Sequence, residues 1–377
     1  MHTVIISGGG TGGHIHPALA IADEIRSRYP GCRIEFVGAV GRMEMEKVPK
    51  AGYSIRGLWI SGIDRNWKSK RNLLFPFKLI SSLVKAGRIL RQIRPQLVVG
   101  VGGFASGPLL YQASRRGIPT AIQEQNSFPG ITNRMLARRV DLICAGFPGL
   151  EKWFPTDRIV ETGNPLREGV AQLATRSAPD KTEALAHFGF DGQRPILFVM
   201  GGSLGAASMN EAVEHLLQNS CEFPCDVLWQ CGSRYFEAAS QRLTNASKTN
   251  FPGTVRCVGF IDRMDWAYLI SDIIASRAGA MSIAELALVG KPTVLVPSPV
   301  VAEDHQTKNA RSLSDRGGAI LLADAEVVHQ LGTTITNLWN DASKRQALSQ
   351  RIQEAAKPNA ARDVVDALEK LLNFGKP

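Results

Sequence analysis

The side chains best placed to do chemistry are few. His14 and His16 close a glycine-rich stretch, "ISGGGTGGHIHPALAIADEI", at residues 6 to 25, and Glu124 lies in "QEQN", Arg167 in "GNPLR", Glu285 in "SIAE" and Gln306 in "AEDHQ". An imidazole titrates near working pH and can take a proton from a hydroxyl, so His14 is the first candidate for a general base and Glu124 its rival. Arg167 is a fixed cation. Glu285, with Ser282, forms an S-x-x-E capping box that could start a helix.

Residues 8 to 13 satisfy G-x-G-x-x-G after an apolar run, and Pro17, preceded by His16, suits a first helical turn. Backbone N–H groups and the positive helix end would then face an anion. A dinucleotide site also needs an acid at the end of its second strand to hold the ribose hydroxyls. Here "RIEFVGAVGR" ends in Gly38, Ala39 and Val40 with Arg42 following, so only a 2′-phosphate cofactor held by Arg42 would keep that reading. No cofactor is expected. Two more loops share the construction, "GVGGFASGP" at 100 to 108 and "GGSLGA" at 201 to 206. Each alone could be a tight turn; three together favour a cleft where diphosphate-bearing molecules meet.

Elements that alternate strand and helix must position these loops. "TVIISG", "RIEFVG", "SIRGLWI", "QLVVGVGG", "PTAIQEQ" and "DLICAG" read as strands, and a second series follows: "PILFVMGG", "CDVLWQCG", "TVRCVGF", "DIIASR", "PTVLVPS" and "AILLAD". Such alternation predicts an α/β fold of two Rossmann-like domains facing a cleft, with ligands beyond the carboxyl ends of the strands. The expected bounds are 1–165, 166–355 and a C-terminal helix in 356–377 that packs back on the first domain. A length of 377 residues also suits two cores.

With 44% apolar and 21% charged residues, the composition is that of a globular protein. Its longest apolar stretch is broken by Lys78, Lys85 and Arg88, which excludes a membrane span. No export signal is read at the start, so a cytoplasmic location is expected. The six cysteines form no C-x-x-C pair and read as buried thiols, and no sequence has metal-ligand spacing.

Charge is lopsided: residues 1 to 165 hold 23 Lys and Arg against 11 Asp and Glu, a net of +12, leaving 21 against 23 in the remainder, a net of −2. Residues 61 to 96 hold nine bases and one acid, interleaved with Trp67, Leu73, Leu74, Phe75 and Phe77. That mixture fits a dock on an anionic membrane, or a surface helix over Pro76 to Arg94 with its apolar stripe on the core. Without a recognisable module, no nucleic-acid partner is expected.

"GGGTGGHIHP", "GVGGFASGP", "QEQNSFPG", "GNPLR", "GGSLGA", "RAGAMSIAEL" and "AEDHQTKNA", in this order over about residues 4 to 316, closely resemble the MurG family of bacterial cell-wall glycosyltransferases. The resemblance implies a GT-B architecture and an inverting transfer of N-acetylglucosamine from its uridine diphosphate to the 4-hydroxyl of N-acetylmuramyl-pentapeptide on undecaprenyl diphosphate, with no metal in the active site. It places Thr11, Gly12, Gly13, Asn126 and Gln306 on the donor sugar. Arg167 and Ser203 approach the diphosphate, Ile261 lies beside the uracil and Glu285 on the ribose, and Ala280, Met281 and Ser282 belong to the substrate-binding set. Gly103, Phe104 and Ser106 become the cradle for the acceptor's diphosphate.

Two positions depart from the family: Gln123 stands where histidine is frequent, and Leu204 where some members have glutamine. The implied setting is peripheral, on the cytoplasmic face of the cell membrane, docked through residues 65 to 85, with cell-wall synthesis or division proteins as partners. Two alternatives stay open: another transferase or epimerase using a uridine diphosphate sugar, and a membrane-bound adaptor that senses a nucleotide sugar without turnover.

Overall fold

A computed structural model describes residues 1–62, 73–173, 180–202, 204–219, 225–245 and 251–374. Ser203, Cys221 and the basic cluster Lys68, Lys70 and Arg71 therefore lie outside the described residues, as does the 65–72 part of the expected membrane dock. The chain divides into two units, Met1–Arg167 with Asn359–Pro377, and Glu168–Pro358.

In the first unit the described strands run in the order β3-β2-β1-β4-β5-β6-β7, all parallel. They are β1 Thr3–Ser7, β2 Arg33–Ala39, β3 Ser54–Leu58, β4 Leu97–Gly100, β5 Thr120–Glu124, β6 Leu142–Ala145 and β7 Ile159–Glu161. The apolar runs of the five inner strands are buried because helices cover both faces, which is why they show little alternation with polar residues. Strand β7 escaped sequence reading: it has three residues, two of them exposed.

The helix Gly12–Arg28 turns Ile15, Ala18, Ile21, Ala22 and Ile25 inward at helical spacing. It starts at Gly12, so Pro17 sits inside it rather than in its first turn as the proline signal had suggested. A last helix, Ala360–Phe374, closes the same core: Val364, Val365 and Leu368 are buried with Val4, Ile6, Ile21 and Cys144. Each such side chain contributes about 1.5–3 kcal/mol. The polar edge is fixed by Arg28, whose guanidinium donates to Asp366 at 2.5 Å and Glu369 at 3.0 Å.

The second unit has described strands in the order β10-β9-β8-β11-β12-β13, again parallel. These are β8 Ile196–Met200, β9 Asp226–Gln230, β10 Val255–Val258, β11 Ile273–Arg277, β12 Thr293–Val296 and β13 Ile320–Leu321. Trp229 fills the core between sheet and helices, its indole N–H donating to Asn210 at 2.9 Å. In both units the order reverses beside the first strand of the series, so loops at the carboxyl ends of neighbouring strands splay apart there and leave room for a ligand.

Candidate active site

Strands β1, β4 and β5 are neighbours, so the loops that follow them lie side by side in the first unit. The first and second glycine loops pack backbone against backbone. Gly103 has φ +85°, and a Cβ there would meet the Gly9 carbonyl oxygen at 2.5 Å. Gly102, with φ +89°, lies under the His14 ring, where a Cβ would come within 2.8 Å of Cε1. Glycine is demanded at both positions by conformation and by space.

The imidazole of His14 meets the loop after β5, its Nδ1 2.8 Å from Oε1 of Gln125. The structure thus joins His14 to "QEQN" through Gln125, a residue that sequence reading left without a role. Its neighbour Glu124 is buried, and its carboxylate accepts from the Asn126 N–H at 2.9 Å and side-chain amide at 3.2 Å, the Gly130 N–H at 3.1 Å and the Asn133 amide at 2.8 Å. Those four bonds tie Glu124 to the fold of its loop, and a base needs a lone pair to offer.

Helix geometry leaves the N–H groups of Gly12 and Gly13 with no helical carbonyl behind them, and Thr11, the residue before, is extended with no side-chain cap. The rest of the first loop is braced by Glu44. This carboxylate accepts from the Gly10 N–H at 2.8 Å and the Ala39 N–H at 2.9 Å, and is itself 1% exposed. His16, one turn into the helix, is held neutral: burial, helped by the nearby Arg167 and Lys47 charges, pushes its pKa down to about 4.

Around the second loop, Phe104 is 44% exposed and lies over Gly62. Ser106 is buried, and its hydroxyl donates to the Gly103 carbonyl at 2.8 Å, so this side chain shapes the loop and any anion would be met by main chain.

In the second unit the loops after β8, β11 and β12 are likewise adjacent. Helix Ala280–Val289 follows β11 and begins after Gly279, an extended N-cap with no side-chain bond. Ser282 therefore lies within the first turn, and the capping-box reading of Ser282 and Glu285 gives way: the helix starts three residues earlier than that motif requires. The first-turn amides of Ala280, Met281 and Ser282 have no helical carbonyl behind them, an arrangement suited to an anion. Glu285 is buried one turn further on, where the Tyr268 hydroxyl donates to Oε2 at 2.8 Å.

Ile261 is 3% exposed, so a ligand beside it would meet its main chain. Gln306 opens the helix His305–Ser314 and accepts from the Ser298 N–H at 2.9 Å. The two residues before that helix, Glu303 and Asp304, hold φ of +52° and +51°, left-handed values that cost non-glycine residues energy and concentrate at ligand sites. Leu204 in the third loop is 79% exposed.

No group of three or more His, Cys, Asp or Glu among the described residues could hold a metal ion, and no described helix is long and apolar enough to cross a membrane.

Two parallel sheets with glycine-rich loops at their strand ends fit a glycosyltransferase that uses an activated sugar, and similarity to known proteins makes the class definite. The Glycosyltransferase family 28 N-terminal domain matches residues 4–144 and the Glycosyltransferase family 28 C-terminal domain residues 196–365. The chain belongs to glycosyltransferase family 28. Among its relatives, the UDP-N-acetylglucosamine–N-acetylmuramyl-(pentapeptide) pyrophosphoryl-undecaprenol N-acetylglucosamine transferase of Flavobacterium psychrophilum is 45% identical, covering 99% of this chain and 98% of its own. The transferase of that name from Porphyromonas gingivalis is 46% identical, covering 99% and 96%.

The crystal structure of Acinetobacter baumannii MurG superposes with a TM-score of 0.76 at 29% identity, over 98% of this chain and 100% of that one. A UDP-GlcNAc 2-epimerase from Neisseria meningitidis shares the fold, with a TM-score of 0.65 at 13% identity over 98% and 100%.

Proposed function

We infer that the chain transfers N-acetylglucosamine from UDP-N-acetylglucosamine to the 4-hydroxyl of undecaprenyl-diphosphate-linked N-acetylmuramyl-pentapeptide, the lipid I to lipid II step of peptidoglycan synthesis. Kinship over nearly the whole length with the Flavobacterium psychrophilum transferase carries this conclusion. The epimerase alternative has a common fold in its favour and little sequence identity.

In the proposed mechanism His14 removes the proton of the acceptor hydroxyl, whose oxygen attacks the anomeric carbon as that carbon's bond to the diphosphate breaks. The electron pair leaves with UDP, and configuration inverts. Geometry favours His14 over Glu124 because the glutamate's lone pairs are already engaged. Arg167 and the amides of Ala280, Met281 and Ser282 neutralise the departing diphosphate, with Ser203 beside it. Glu285 takes the ribose and the Ile261 main chain the uracil. Thr11, Gly12, Gly13, Asn126 and Gln306 hold the donor sugar, and the Gly103–Ser106 loop with Phe104 holds the acceptor diphosphate.

Membrane docking is part of the proposal. Helix Phe75–Ile93 buries Ala86, Ile89, Leu90 and Ile93, yet a second apolar stripe leaves Phe77 66% and Ile80 61% exposed, next to exposed Leu73, Leu74 and Val84. Lys78, Lys85, Arg88 and Arg91 flank that stripe on the same helix. Such a face suits the headgroup region of an anionic leaflet, where the acceptor is anchored.

Product analysis with a short-chain lipid acceptor tests the function. A lipid-linked disaccharide and free UDP are expected, at a rate insensitive to chelator; isomerised donor without acceptor would replace this reading by an epimerase. His14→Ala should lower kcat by about 10²–10⁴-fold and leave UDP binding intact. Weakened donor affinity alone would remove His14 from the role of base.

A further inference from the structure

His14 Nδ1 and Gln125 Oε1 are 2.8 Å apart, and the rest of the Gln125 amide decides which atom carries the proton. Its Nε2 lies 3.0 Å from the Val101 carbonyl and 3.0 Å from the Gln123 carbonyl, and it also bonds to Gln123 Oε1. A flipped amide would turn its oxygen on three acceptors, so the amide has one orientation.

Gln123 is fixed in the same way. Its Nε2 donates to Asn164 Oδ1 at 3.0 Å, and Asn164 Nδ2 donates to the Gln125 main-chain carbonyl at 2.9 Å. Gln123, Gln125 and Asn164 are all buried, at 0%, 2% and 2% exposure. The relay of three amides ends on main-chain oxygens, which cannot turn. Oε1 of Gln125 can therefore only accept, and the hydrogen in the bond belongs to Nδ1.

We propose that Gln125, locked by Gln123 and Asn164, is a positioning residue that holds His14 in its Nδ1–H tautomer, so that the lone pair for proton abstraction sits on Nε2. The proposal rests on the reading of His14 as base and adds which atom acts and what presents it. In a neutral imidazole one nitrogen donates and the other accepts, so the wrong tautomer would aim an N–H at the hydroxyl it should deprotonate.

Long-range proton–nitrogen correlation spectra of histidine-labelled protein test this, the His14 signals being identified by their loss in His14→Gln. Above the imidazole's titration the wild type should show a protonated Nδ1 and a bare Nε2. In Gln125→Leu that pattern should average or reverse. Its kcat should fall roughly 10- to 100-fold, part of the general-base contribution, with the KM for UDP-N-acetylglucosamine changed by less than about twofold. In a His14→Ala background the same substitution should cost nothing further in kcat.

A wild-type spectrum with the proton on Nε2 would overturn the proposal, as would an equal loss of kcat from Gln125→Leu with or without the imidazole. If the leucine variant does not fold, the wild-type spectrum decides. Full activity in His14→Ala would remove the base reading instead, while leaving the tautomer measurement standing.

Discussion

The carboxylate of Glu44 accepts the Gly10 N–H at 2.8 Å, which puts a side chain where a dinucleotide's pyrophosphate would meet the first glycine loop. A Cβ on Gly9 would fall within 2.2 Å of that carboxyl carbon, so loop and carboxylate are fitted to one another. The sequence of a cofactor fingerprint is thus used for something else. Its conformation is held from inside by a fixed anion, and the amides left to a ligand are those of the helix start.

Removing this brace should loosen the loop. Glu44→Ala would strand the buried Ala39 N–H and take the partner from the half-buried Gly10 N–H, at a cost of about 1–3 kcal/mol. Urea unfolding should move to a lower midpoint with an unchanged slope. A midpoint equal to that of the wild type would show that the brace is dispensable.

Glu285 offers a sharper test of the nucleotide site. Replacing it with glutamine keeps size and the Tyr268 contact but weakens the bonds a carboxylate would make to ribose hydroxyls. The KM for UDP-N-acetylglucosamine should rise about 10- to 100-fold, since hydrogen bonds to a charged group contribute roughly 1.5–3 kcal/mol. A 2′,3′-dideoxy donor should bind wild type and variant alike. Discrimination between the two proteins that persists without those hydroxyls would move Glu285 off the ribose.

His16 makes stability depend on pH in a defined direction. Its folded pKa of about 4 lies below the ordinary value of 6.5, so between these limits the unfolded chain binds more protons. Stability is therefore complete above pH 6.5 and falls as pH drops toward 4, by an amount on the order of 3 kcal/mol. His16→Gln should flatten this part of the profile in unfolding experiments at successive pH values. An acid limb identical in both proteins would assign the loss to other groups.

The outward stripe of helix Phe75–Ile93 is open to a direct assay. Phe77→Asp with Ile80→Asp removes two apolar side chains, each contributing about 1.5–3 kcal/mol when fully buried. Sedimentation with anionic phospholipid vesicles should show partitioning reduced at least about tenfold, with transfer to a soluble short-chain acceptor preserved. Unchanged partitioning would dismiss the stripe as a dock.

Strands were legible because a buried parallel strand writes itself as a short Val/Ile-rich run, and only β7, brief and mostly exposed, gave no such signal. The glycine loops and the helices after them were legible too, although the register of their starts was not. Pro17 and the Ser282–Glu285 pair are real local preferences, but the helices begin earlier because Ile15, Ala18 and Ile21 in one, and Ile283 and Leu286 in the other, must face a core. Neither Glu44 nor Gln125 could be found from spacing. The bond from His14 to Gln125 spans 111 positions and that from Gly10 to Glu44 spans 34, and no periodicity links such pairs. Only the packed sheet brings them together.

Because helix Ala360–Phe374 covers Val4, Ile6, Ile21 and Cys144, the first unit is finished by a piece of chain made after the whole of the second. The intervening stretch is Glu168–Pro358, and at ~5–20 residues per second its synthesis takes roughly 10–40 s. For that interval on the ribosome the part of the sheet face that this helix will cover stays bare, greasy and sticky while the second unit folds. Newborn chains should accordingly lean on a chaperone during this wait, and a stop codon placed before residue 360 should release an aggregating protein rather than a shorter enzyme.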